Sequence, residues 1–545
     1  MARGSGATTT RRTTALVAVV SLLLMITGCA LLPTVSTTAP TPGSTTAAPS
    51  SDTPSSGAPS AGGSSATPTQ GSGRPVQPVP DVRPAGFLSP PPGQGLQRYL
   101  GQRVRWSDCG KGLRCAAVLA PLDYADPDGE AITLGLAKRP ASAGPSAGSL
   151  FINPGGPGGS GTKYVDYFEV KGLERFDVVG WDPRGTGQST PVKCANGAAM
   201  DVYTSVDVTP DDKAEEKALT QAQLDFGRGC LERSGALLEH ISTTETVRDL
   251  DLLRHLVGDE KLSYFGSSYG TKIGALYAEL YPATVGRMVL DGAVNITGKK
   301  DVSQLDGFER ALGNFATWCA EQRCKLGSSK TEVERTIGDL LQRLDEKPIN
   351  GGRAKLTQQL GLTGVLAVLY ENEEGWKYLR QGLELAAFEN DGRYLLYFAD
   401  QYNDRSTNGT YGQLQFSFPA IRCLDSQDVS VSEAEKEGAE EAKRAPTLGP
   451  FAGADLVCPL WPVAPFPKEP TIRGAGAAPI VVIGTTGDPA TPYEYAERMA
   501  KQLRSGHLLT LKGEGHLGYG QSACIQRYVQ AYLLDGDVPA DGTRC

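Results

Sequence analysis

The stretch Leu262-Ser263-Tyr264-Phe265-Gly266-Ser267-Ser268-Tyr269-Gly270-Thr271 decides how the rest of the chain is read. A short apolar run, Leu262 to Phe265, predicts a strand. The residues 271–281, Thr-Lys-Ile-Gly-Ala-Leu-Tyr-Ala-Glu-Leu-Tyr, predict a helix. Between them stands G-x-S-x-G with Ser268 at its centre. A strand, a sharp turn and a helix in that order is the context in which a serine hydroxyl is pushed out of the backbone as a nucleophile. Glycines on either side make room for the strained turn.

Working outward, 131–137, 149–153 and 176–181 alternate or run apolar as strands do, and 246–257 carries Val247, Leu250, Leu253 and Val257 on one helical face. Another strand is expected at 287–291. Strands alternating with helices imply an α/β architecture, a mostly parallel sheet with helices on both faces. From 296 the periodicity turns helical, at 308–318, 333–344, 360–369 and 376–388, with a Glu-rich solvated helix at 432–443. The sheet pattern returns with a strand at 479–483, a helix at 493–503, a strand at 507–511 and a last helix at 525–534. The expected division is therefore a first part of the core at 86–295, a helical cap inserted at 296–474, and the C-terminal part of the core at 475–545.

A serine needs a base, and the base an orienting acid. Of the four histidines, His255 falls in a helix, His507 begins a strand and His240 lies in a connecting stretch. His516 stands in a glycine-rich turn directly after a strand, Gly513-Glu-Gly-His516, and is the candidate base. Asp488, in Gly487-Asp-Pro-Ala-Thr-Pro492, follows a strand between serine and histidine and is the candidate acid. Its competing reading is a helix cap. Glu514, two residues from His516, is badly placed for that role. The glycine-rich run Asn153-Pro-Gly-Gly-Pro-Gly-Gly-Ser-Gly161 follows a strand and suits an oxyanion hole, with the amides of Gly156 and Tyr269 as donors. It lacks the Lys-Ser/Thr ending of a phosphate loop. The segment 182–189, Asp-Pro-Arg-Gly-Thr-Gly-Gln-Ser, reads as a scaffold turn near the site. No metal or cofactor is called for.

The N-terminus carries Arg3, Arg11 and Arg12, an apolar run at 15–27 and Ile26-Thr-Gly-Cys29. It resembles the signal segment and lipobox of bacterial lipoproteins, which implies cleavage after residue 28 and a lipid on Cys29. The stretch 29–85, rich in Ser, Thr, Pro and Gly, is expected to be a disordered tether. That arrangement implies an extracytoplasmic protein held to a membrane through Cys29. Setting Cys29 aside leaves ten of the eleven cysteines, an even number that suits disulfides in an exported chain. Sequential pairing is expected: 109–115, 194–230, 319–324, 423–458 and 524–545. The formal charge of −8 and the lack of a basic stripe argue against nucleic acid as a partner.

With these motifs in hand, the chain resembles an exported α/β-hydrolase of the tripeptidyl-aminopeptidase-like group, related to prolyl iminopeptidases, which includes actinobacterial cell-envelope serine hydrolases. The resemblance rests on residues 153–161, 181–189, 266–271, 487–492 and 513–516. It implies the triad Ser268, Asp488 and His516, a helical cap, and cleavage of short N-terminal peptides, anilides or esters through an acyl-enzyme. An aminopeptidase must hold an ammonium group, for which acids in the cap, Glu371, Glu373, Glu374 and Asp425, are candidates. An esterase or lipase acting on envelope lipids is the alternative, and a non-catalytic binding lipoprotein a remote one.

Overall fold

A computed structural model describes residues 77, 86–426, 429–467 and 469–545. The signal segment, Cys29 and, apart from Gln77, the tether lie outside the described residues. Ten strands make one sheet: β1 (Ser107–Asp108), β2 (Arg114–Pro121), β3 (Ala131–Arg139), β4 (Ser149–Asn153), β5 (Asp177–Trp181), β6 (Leu262–Ser267), β7 (Val285–Asp291), β10 (Ile480–Gly487), β11 (Gly506–Glu514) and β12 (Thr543–Arg544). A separate hairpin joins β8 (Ile349–Asn350) to β9 (Lys355–Leu356).

The spatial order is β1-β2-β3-β5-β4-β6-β7-β10-β11-β12. Pairing is antiparallel as far as β3–β5 and parallel from β5 onward. Because β4 lies between β5 and β6, the chain leaves β4 in one direction along the sheet and continues from β6 in the other. The crevice beyond the carboxyl ends of β4 and β6 is therefore a topological switch point, where open parallel sheets place their sites.

The central strands are buried on both faces, which is why they read as continuous apolar runs. Alternate residues serve two layers. Phe151 and Val179 join the core formed with helices Thr243–Val257 and Gly270–Leu280. Leu150, Ile152 and Val178 join the opposite core, closed by Ile525, Val529, Tyr532 and Leu533 of helix Ala523–Asp535.

Between β7 and β10 the chain is largely helical: Gln304–Glu321, Lys330–Glu346, Gln358–Leu369, Glu373–Glu389, Arg393–Tyr402, Leu414–Asp425, Val431–Arg444 and Gly449–Ala452. Much of this segment packs around its own core of Phe315, Leu341, Leu369, Trp376 and Leu383. A second helical excursion, Gly197–Ser205 and Lys213–Ser234, separates β5 from β6.

All five expected cysteine pairs are joined. Cys194–Cys230 ties the second excursion to the segment after β5, across a sequence separation of 36. Replacing both cysteines by alanine is expected to cost about 4 kcal/mol on the chain-entropy scale. The measurement is the guanidinium unfolding midpoint, with activity of the folded fraction retained.

Candidate active site

Ser268 sits just beyond the end of β6 with φ of +53°, in the left-handed region that non-glycine residues rarely enter. Two things keep it there. Its amide donates to the Asp291 carbonyl at 2.8 Å, and its own carbonyl accepts from Thr271 N at 2.9 Å and from Thr271 Oγ1 at 2.6 Å. Gly266 is dictated by space: a Cβ there would stand 2.4 Å from the Gly270 carbonyl oxygen. The result is a serine on a tight elbow between strand and helix. Its Oγ forms no hydrogen bond among the described residues.

The loop after β4 closes against this elbow. Gly155 has φ of +91°, and a Cβ on it would meet Tyr269 N at 2.7 Å and Ser268 Cβ at 3.0 Å. Only glycine lets the two backbones come this close. The Asn153 Oδ1 takes the Gly155 amide at 2.8 Å, which leaves the next amide, Gly156, without a protein acceptor among the described residues. The same holds for the amide of Tyr269. The far end of the loop is fastened by buried Asp182, which accepts from Ser160 Oγ (2.7 Å), Thr162 N (3.0 Å) and Gln188 N (2.7 Å). The expected scaffold turn at 182–189 is what the structure contains.

Asp488 follows β10, and its side chain is fully buried. It accepts from Ala490 N, Thr491 N, Thr491 Oγ1 and Leu517 N at 2.8–3.2 Å, and from His516 Nδ1 at 2.9 Å. Asp488 does not cap helix Tyr493–Gln502, whose N-cap Pro492 receives no side-chain bond; its carboxylate instead holds the turn before that helix and pairs with His516. Burial works against a charged His516, but the carboxylates of Asp488 and, less strongly, Asp291 together outweigh it and raise the imidazole pKa above its ordinary value. The ring and Ser268 meet at the same peptide: a Cβ at Gly292 would lie 3.1 Å from His516 Cε1, and Asp291, one residue earlier, takes the Ser268 amide. No hydrogen bond joins Ser268 Oγ to the ring, and such contacts are commonly loose without substrate. Glu514 is engaged elsewhere, accepting from Asn314 Nδ2 at 3.0 Å.

Three further residues shape the site. Thr491 Oγ1 bridges Asp488 and His516 Nδ1, at 2.9 and 3.3 Å. Asp291, fully buried at the end of β7, accepts from Gly518 N and Tyr519 N at 2.8 Å each and so pins the loop that carries His516. Burial pushes its carboxyl up to about 6. Tyr370 of the cap takes the His516 amide at 2.8 Å and sets its ring edge-on to the imidazole, 5.5 Å between centroids. A charged residue closing an apolar strand at the sheet's carboxyl edge was a readable signal for Asp291. Nothing local marks Tyr370.

The four acids expected in the cap separate. Glu374 pairs with Lys377 on the surface, and Glu373 is exposed. Asp425 is buried against the core side: it accepts from Thr243 N (2.9 Å), Thr243 Oγ1 (2.5 Å) and Tyr269 Oη (2.5 Å), with Lys272 Nζ at 3.5 Å. It is held as a structural anion rather than offered to a ligand, because these donors already use its lone pairs. Glu371 follows Tyr370 directly. It is partly buried, its carboxylate has no hydrogen-bond partner among the described residues, and burial alone pushes its pKa up to about 7.

A buried acid–imidazole pair, a strained serine and two unengaged amides over one sheet edge make an arrangement suited to acyl transfer. A family profile described as TAP-like protein matches residues 445–545. Serine protease Hip1 of Mycobacterium tuberculosis is 36% identical over 482 residues, covering 82% of this chain and 91% of the relative. Carboxylesterase B of the same organism is 35% identical, covering 79% and 86%. Tripeptidyl aminopeptidase of Streptomyces coelicolor is 29% identical, covering 81% and 86%.

Proposed function

The chain belongs to the TAP-like family of α/β-hydrolases and is a serine hydrolase, and we propose that it is an exopeptidase releasing short peptides from substrate N-termini. Ser268 attacks the scissile carbonyl while His516 takes its proton. The amides of Gly156 and Tyr269 hold the oxyanion, and His516 then protonates the leaving amine. Water, activated by the same imidazole, releases the acyl group from Ser268. Asp488 keeps the His516 proton on Nδ1 and stabilises the imidazolium. The observation that carries this reading is the buried Asp488–His516 pair beside the strained Ser268 elbow. Peptidyl anilides should turn over with efficiency comparable to the matching esters. Turnover confined to acyl esters would favour the second reading, an esterase, which the relation to a carboxylesterase supports.

Glu371 is the best placed of the cap acids to hold a peptide ammonium, being desolvated, unpaired and next to the residue that touches His516. A raised carboxyl is neutral below its pKa and charged above it. The KM for peptides with a free amine should therefore fall as pH rises through about 7, and rise again as the peptide amine itself deprotonates at about pH 8. Glu371→Gln should remove this dependence and leave ester hydrolysis unchanged. A wild-type KM profile in that variant excludes the role.

Five disulfides support an oxidising compartment, and the Thr-Gly-Cys29 sequence supports a lipid anchor facing outward from the membrane. Metabolic labelling with an alkyne fatty acid should mark the wild-type chain and not Cys29→Ser. Equal labelling of both would remove the anchor from the proposal.

A further inference from the structure

One cap helix, Leu414–Asp425, touches both segments that carry the amides assigned to the oxyanion. At its start, Gln413 Nε2 donates to the carbonyls of Gly185 (3.2 Å) and Val192 (2.6 Å), which seats the helix on the turn after β5. One turn on, Ser417 Oγ lies 3.0 Å from the Gln413 carbonyl and 3.3 Å from the Gly158 carbonyl, and shares its single proton between them. Leu414 Cδ1 lies 3.1 Å from where a Gly156 Cβ would be, so the loop after β4 has no space to recoil in that direction. At its end, Asp425 takes the Tyr269 hydroxyl at 2.5 Å. Thr243 and Lys272 converge on the same carboxylate, and Lys272 reaches on to Glu469 at 3.0 Å. The Asp425 side chain is only 4% exposed, and Cys423, two residues before it, is bonded to Cys458.

We propose that helix Leu414–Asp425 is the brace of the oxyanion hole, with Asp425 and Ser417 as positioning residues that act through the amides of Tyr269 and Gly156. The inference rests on the oxyanion assignment above and goes beyond it. The core sets the elbow and the glycine loop against each other, and the cap helix adds a contact to each. The two donors lie on loops from different strands, β4 and β6, and the helix is an element that contacts both. A donor displaced by a fraction of an ångström loses much of its hold on a tetrahedral oxyanion, whereas a planar ground-state carbonyl is affected less. Loss of the brace therefore falls on kcat and spares KM.

The test compares Asp425→Asn, Tyr269→Phe, their double variant and Ser417→Ala with wild type. The readouts are hydrolysis of a peptidyl nitroanilide, inhibition by the matching peptidyl boronic acid, and thermal unfolding. Asp425→Asn and Tyr269→Phe should each lower kcat by about 10- to 100-fold with KM within about twofold. The boronate inhibition constant should rise in step, because the adduct mimics the tetrahedral state. Removing both partners should cost no more than removing one, since they act as a unit. Ser417→Ala should show the same split, more weakly. If Asp425→Asn does not fold, Tyr269→Phe, which deletes only a hydroxyl, decides the matter. Unchanged kcat and boronate affinity in Tyr269→Phe and Ser417→Ala, with only a lowered melting temperature, would overturn the brace. Full turnover in Ser268→Ala would instead overturn the acyl-enzyme reading beneath it, so the two failures are separable.

Discussion

Ser268→Ala is expected to lower kcat by about 10⁴- to 10⁶-fold and to abolish labelling by a fluorophosphonate probe. On the proposed mechanism the side chain lost is the one that forms the new bond, so no neighbouring group can substitute for it. The residual rate belongs to the oxyanion donors and to substrate binding alone. Stability should barely move. Ser268 Oγ has no hydrogen bond to lose among the described residues, and alanine inherits the same left-handed φ of +53°, so the change should stay within about 0.5 kcal/mol. Active-site labelling and a melting curve on the same preparation separate a missing nucleophile from a misfolded chain. Persistent labelling of the alanine variant would refute Ser268 as the nucleophile.

Asp488→Asn should lower kcat by about 10⁴-fold while leaving the fold intact. The carboxylate receives donors on every side: the amides of Ala490, Thr491 and Leu517, the Thr491 hydroxyl and His516 Nδ1. An asparagine at this position must turn its NH₂ toward one of them. Turned toward the imidazole, it donates to Nδ1 and drives the ring proton to Nε2. His516 then presents N–H, not a lone pair, to Ser268. Turned the other way, it confronts backbone amides, donor against donor. The pH profile should change as well. Asp488 is the main group that raises the His516 pKa against the opposing effect of burial, so the acidic limb should move to lower pH as the plateau falls. A variant with an unshifted limb and near wild-type kcat would show that another group orients the base.

What the sequence made legible follows from how local each signal is. The strand–turn–helix around Ser268 is written in consecutive residues and appears as β6, elbow and helix Gly270–Leu280. The central strands are equally readable, because burial on both faces demands unbroken apolar runs. His516 and Asp488 were identified because each follows a strand in a glycine-rich turn. Helix Leu414–Asp425 was not, since Pro419 in its interior argues against a helix. Helix Lys213–Ser234 was also unassigned. It is mostly polar, with Gly227 and Gly229 in its second half, so its apolar face is thin. The role of Asp425 could not be read at all, because its partners Thr243, Tyr269 and Lys272 lie far away in the chain. Only the tertiary fold distinguishes a carboxylate waiting for a ligand from one already occupied.

The long helical passage between β7 and β10 also governs when the enzyme can first act. The elbow and the glycine loop are complete once β7 has been made, yet Asp488 and His516 both lie downstream of β10. A chain arrested anywhere before that strand carries a nucleophile with neither base nor acid. On the proposed roles, Ser268 has its base only once the segment after β11 has been made.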